Sequence, residues 1–141
     1  MIFPADRDEL RRMYLQAWQR HRDGLPLEPL QAQIANVVAA HPEYQPLLES
    51  GEDVIDRDWL PEQGLSNPFL HMGMHLAVRE QLSTDRPRGI VAVHRGLVRQ
   101  FGDAHEAEHR MAECLAEALW RSQRSGLPPD EDAYLDALRG L

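Results

Sequence analysis

The stretch N-P-F-L-H-M-G-M-H-L-A-V-R-E-Q-L, residues 67–82, decides how this chain is read. At about 100° of rotation per residue, His71, His75, Val78 and Leu82 share one helical face. Gly73, Ala77, Glu80 and Gln81 lie round the other side. The segment predicts the most apolar helix of the chain, Pro68 to Leu82. Its two imidazoles stand one turn apart and central to its buried face. A second pair with the same H-x-x-x-H spacing follows at His105 and His109, inside H-E-A-E-H-R-M-A-E-C-L at 105–115.

Outward from this region the chain reads as helices separated by turn residues. Downstream, T-D-R-P-R-G at 84–89 is a turn, and a shorter helix runs from Ile90 to about Phe101. Its His94 has no spaced partner and reads as structural or exposed. Asp103 is a good N-cap for the longest helix, which runs to about Ser125 and is closed by Gly126 and Pro128-Pro129. Its seam is Ala104, Ala107, Met111, Cys114, Leu115 and Ala118; His105 flanks the seam, and His109, Glu113 and Trp120 lie further toward the wet side. A last helix, Asp130 to Arg139, buries Tyr134, Leu135 and Leu138.

Upstream, Asp6 with Glu9 opens a first helix that Gly24 stops, with Leu10, Met13, Tyr14, Ala17, Trp18 and His21 facing a core. Pro29 suits the first turn of a second helix to about Ala40, with Leu30, Ile34, Val37, Val38 and His41 on its inner face and Pro42 ending it. His21 and His41 fall at helix C-termini, where an imidazolium complements the dipole, and both are assigned that role rather than a ligand's. Residues 41–48 form a short helical turn or a loop. Between Glu49 and Glu62 six acids face Arg57 alone. The spacing is not that of an EF-hand, so the segment reads as a solvated acidic connector anchored by Val54, Ile55 and Trp59. Pro61, Gly64, Asn67 and Pro68 mark a loop. Trp18, Trp59 and Trp120 read as core anchors.

No run alternates with period two and nothing repeats, so the fold class is all-α: a single-domain antiparallel helical bundle of about five to six helices over residues 1–141. The net charge of −8, from 15 arginines, no lysine and 23 acids, argues against nucleic acid and against anionic membranes as partners. No stretch approaches the ~18 continuous apolar residues of a membrane span. The N-terminus turns charged before a signal region develops, and Cys114 is the only cysteine. A reducing cytoplasm is the expected setting.

Two imidazole pairs on facing helices are a recognised way to hold a divalent metal inside a bundle. His71, His75, His105 and His109 are therefore the candidate ligands. Zinc is the first choice for a nitrogen-rich, cysteine-free set, and iron, manganese and nickel stay open. Glu113, one turn past His109, is a candidate ligand or an orienting partner for that ring; the alternative is an exposed glutamate paired with Arg110 or Arg121. His105 to His109 is also H-E-x-x-H, in which a glutamate, here Glu106, serves as general base for metal-bound water. In those five residues the chain resembles the zinc metallopeptidases, without their third ligand at the required place. Glu106 with His109 resembles one half of a di-iron carboxylate site, whose second half is missing. Three readings follow: a metal-binding helical protein, a non-enzymatic interaction module with structural histidines, and a zinc-dependent hydrolase. Cys114, on a core seam, reads as a small buried hydrophobe.

The succession at 67–82, R-P-R-G-I at 86–90, H-E-A-E-H-R-M-A-E-C-L at 105–115, H-P-E-Y at 41–44 and the P-P-D…Y-L ending is similar to a small proteobacterial family. That family is catalogued as a domain of unknown function, number eighteen forty-one. The resemblance covers nearly the whole chain. It implies a bacterial cytoplasmic helical protein and carries no activity or ligand with it.

Overall fold

The structure is a computed structural model that describes residues 6–59 and 67–141. The predicted loop positions Pro61 and Gly64, the last acid of the connector, Glu62, and the first five residues of the N-terminus lie outside the described residues. Among the described residues there are seven α-helices, two single 3-10 turns and no strand, so the all-α expectation holds with one more helix than the sequence suggests. The added helix is five residues long. The helices are α1 (Arg7–Arg22), α2 (Pro29–Ala39), α3 (Gln45–Glu49), α4 (Pro68–Thr84), α5 (Ile90–Phe101), α6 (Ala104–Ser125) and α7 (Glu131–Arg139). They fall into two compact units, Met1–Met72 and Gly73–Leu141.

In the first unit α1 packs on α2. Asp6 caps α1 by accepting from the Asp8 amide at 2.7 Å, and the positive φ of Gly24 turns the chain after it. Pro29 starts α2 as predicted, and a Glu28–Gln31 capping box adds to it. Tyr14, Ala17 and Trp18 are buried, as are Ile34, Ala35, Val37 and Val38. Each of the larger of these side chains stabilises the fold by roughly 1.5–3 kcal/mol through burial alone.

The acidic connector is anchored more tightly than its hydrophobic residues imply. Val54 and Ile55 are buried, and so is Arg11, at 4% exposure. The Arg11 guanidinium donates to the carbonyls of Ile55 at 2.7 Å and Arg57 at 2.8 Å. It also lies 5.2 Å from the Trp59 ring and 5.1 Å from the Phe69 ring. Burial, and the neighbouring Arg7, lower the pKa of this guanidinium from its usual value. Carbonyl dipoles and aromatic faces hold the cation in place of a carboxylate. The connector's acids face outward, where Glu52 pairs with Arg12 and Asp58 with Arg7. The solvated reading of this segment is correct for its described part.

In the second unit α5, α6 and α7 pack together around Ile90, Leu97, Ala107, Met111, Leu115, Tyr134, Leu135 and Leu138, with Val78 of α4 in the same core. Gly102, with φ of 70°, ends α5, and Asp103 caps α6 by accepting from the His105 amide at 2.9 Å. Gly126 and Asp130 perform the same two tasks between α6 and α7. One seam assignment and one core-anchor assignment need correction. Ala104 is exposed and Ala112 is buried in its stead. Trp120 is 53% exposed with Arg124 over its ring at 4.8 Å, so it is a surface residue and not a core anchor. Size and apolarity suggested burial, but that side of the C-terminal half of α6 faces solvent. No helix among the described residues is long and apolar enough to cross a membrane.

Candidate metal centre

Helix α4 supplies the first two histidines. Asn67 caps it, accepting from the amides of Phe69 at 3.0 Å and Leu70 at 3.2 Å. Its buried arc runs from Phe69 through Met72 and Leu76 to His75 and Val78. His75 has no exposed surface, whereas His71 is half-buried at the margin of the arc. The two rings are therefore not equally central to the buried face, as the spacing alone suggests. A segment with apolar residues on every side leaves the centre of its buried face undefined by periodicity.

His75 is fixed from α6. Its Nδ1 lies 2.7 Å from Oε1 of Glu108, and Arg79, one turn along α4, donates through Nε to both oxygens of that carboxylate at 3.0 and 3.2 Å. Burial pushes the Glu108 carboxyl up, but the His75 hydrogen bond and the Arg79 guanidinium outweigh it and hold the group below the usual carboxylate range. An ionised carboxylate only accepts, so Nδ1 of His75 carries the hydrogen. His105 stacks on His75 with ring centres 5.6 Å apart and planes within 10°. His109 meets both edge-on, at 5.0 Å from His75 and 5.4 Å from His105.

His41 is constrained in the same manner. It is fully buried, and its Nδ1 lies 2.7 Å from the carbonyl oxygen of Val37, four residues back on α2. A carbonyl cannot donate, so here too Nδ1 carries the hydrogen. The capping role expected of His41 is present. His71 meets His41 edge-on at 5.2 Å, and Tyr44 stacks on His41 at 5.5 Å. Burial, with Glu43 adding to it, raises the Tyr44 phenol above its ordinary value.

Within the first unit His41 and His71 thus lie together, and within the second His75, His105 and His109 do. His71, His75, His105 and His109 were legible from spacing, and His41 was not. Glu106 is half exposed and bonds Arg110 at 2.9 Å along α6. Glu113 is exposed. Glu108, a carboxylate in contact with His75, was not singled out by the sequence reading. Glu108 sits beside His109 in sequence and meets His75 33 residues away, so no local spacing marks it. Cys114 is half-buried, and burial raises its thiol pKa, with Glu113 and Glu117 adding to the effect. This suits a packing residue better than a nucleophile. His21, predicted as a cap, is exposed and stacks on Trp18 at 5.2 Å.

One family model, described as Domain of unknown function (DUF1841), matches residues 6–140, and the chain belongs to that family. No curated protein and no solved structure matches it.

Proposed function

We propose that this member of the domain-of-unknown-function family binds one divalent transition-metal ion, zinc first, through His75, His105 and His109 of the second unit. The observation that carries the reading is the mutual contact of these three rings, whose centres lie 5.0, 5.4 and 5.6 Å apart. His75 has no exposed surface, and its Nδ1 lies 2.7 Å from the Glu108 carboxylate. This is how metal-ligating histidines are usually oriented by their outer partners. A ligand set of nitrogen alone suits zinc, with iron, manganese and nickel as competitors of similar preference. Glu106, tied to Arg110 on the surface of α6, lends no support to the hydrolytic reading of H-E-A-E-H.

Single His→Gln variants at 75, 105 and 109 test the assignment, with His94→Gln as a control, by equilibrium dialysis against zinc. Each of the three should weaken zinc binding by roughly tenfold or more, and the control should not change it. If His71 and His75 are both replaced and zinc binding is unaltered, the histidines are structural and the chain is a helical interaction module.

A further inference from the structure

Within the second unit, helical spacing brings a carboxylate to the proposed ligands. His105, Glu108 and His109 stand at i, i+3 and i+4 on α6, so Glu108 shares the face that presents two of the three imidazoles. His75 and Arg79 stand one turn apart on α4, and both reach that carboxylate. Oε1 of Glu108 lies 2.7 Å from Nδ1 of His75 and 3.0 Å from Nε of Arg79, and Oε2 lies 3.2 Å from the same Nε. Both oxygens are thus engaged from α4 by charge-assisted bonds. A glutamate so placed has two uses. It can orient a histidine from outside the coordination shell, or it can turn onto the metal as an oxygen ligand. The guanidinium opposes the second use, because a metal ion approaching an oxygen that a guanidinium already holds meets like charge.

We infer that Arg79 sets the metal preference of the centre, by holding Glu108 as the outer partner of His75 and out of the coordination shell. The inference rests on the metal assignment above and adds a specificity-determining residue to it. Arg79 is a positioning residue, acting through Glu108. With the carboxylate held, the centre offers imidazole nitrogen, which suits zinc. With the carboxylate released, the same face of α6 offers nitrogen together with an anionic oxygen, a donor that favours manganese(II) relative to zinc. The Arg79 side chain is 33% exposed, so shortening it opens onto solvent rather than leaving a void in the core.

The test uses the metal-free full chain, with zinc(II) and manganese(II) affinities measured separately and cobalt(II) absorption as a report on the ligands. Arg79→Gln should weaken zinc by roughly tenfold and strengthen manganese by a similar factor, so that the preference falls by about a hundredfold. Adding Glu108→Gln to that variant removes the anionic oxygen, and the gain in manganese affinity should disappear. Opposite movement of the two metals is the signature of a released carboxylate, which a merely structural role would not produce. In the presence of Arg79, Glu108→Gln alone should leave the cobalt spectrum as it is in the parent, a measurement that does not depend on how the Arg79 variants fold. A changed spectrum there makes Glu108 a ligand already and overturns the inference. Zinc and manganese weakened alike by Arg79→Gln, or an unaltered preference, overturn it too and leave the metal assignment standing. A parent chain that binds none of the three metals overturns the metal assignment, and this inference with it.

Discussion

Replacing Glu108 by Ala removes three contacts at once: the 2.7 Å bond with His75 and the bonds from Arg79 at 3.0 and 3.2 Å. His75, which has no exposed surface, then keeps a polar Nδ1–H in an interior that offers less to satisfy it. Breaking a buried charged pair by deleting one partner costs about 3–5 kcal/mol. Glu108 is 12% exposed and Arg79 is 33% exposed, so water recovers part of that loss. A destabilisation of about 2–3 kcal/mol in the metal-free protein is the expected value. Zinc affinity should fall by roughly 10–100-fold, the usual effect of removing the group that orients a ligating histidine. Glu108→Gln, which still accepts from Nδ1, should recover most of that affinity. Urea unfolding of the metal-free variants gives the first number, and competition with a chromophoric chelator gives the second. An alanine variant within about 0.5 kcal/mol of the parent, with unchanged zinc affinity, would show that Glu108 orients nothing.

Arg11→Met leaves two carbonyls without their donor and removes the cation from the Trp59 and Phe69 rings, so it should cost about 3 kcal/mol in urea unfolding. Because the Glu108 carboxyl is depressed on folding, its contribution to stability is present above the unfolded carboxylate value of 4.5 and is lost as pH falls through the folded value. The metal-free parent should therefore lose stability more steeply than Glu108→Gln when acidified from about pH 5, measured by thermal melts. Tyr134→Phe removes the 2.8 Å bond to Gln81 between α7 and α4 and should lower stability by about 1 kcal/mol in the same assay. Asp103→Ala removes the cap of α6 and should cost about 1 kcal/mol, read as a shifted urea midpoint.

Helix ends were the most legible part of the chain, because caps and stops act within a few residues. Gly102 with Asp103, and Gly126 with Asp130, mark boundaries that the structure places within a residue or so of where the sequence puts them. Burial was legible where apolar residues recur on one side, as for Ala107, Met111 and Leu115, and misleading for Trp120, where only residue type pointed inward. The pairs His71 with His75 and His105 with His109 follow from i, i+4 spacing. His41 lies 30 residues before His71, and a helix-end role explains it fully in one dimension; only the fold brings its ring against His71. Glu108 is a similar case. Its neighbours in sequence, Glu106 and His109, carry the recognisable motif, while its own partners Arg79 and His75 come from a different helix. Arg11 shows the same limit, since its partners are backbone carbonyls that leave no mark on sequence spacing.

Elemental analysis of the untagged full chain, purified without chelator, tests most directly whether the histidines serve a metal. About one equivalent of a single transition metal per chain, zinc first, is the predicted result, lost when His75 is replaced. Less than about a tenth of an equivalent of every transition metal would contradict it.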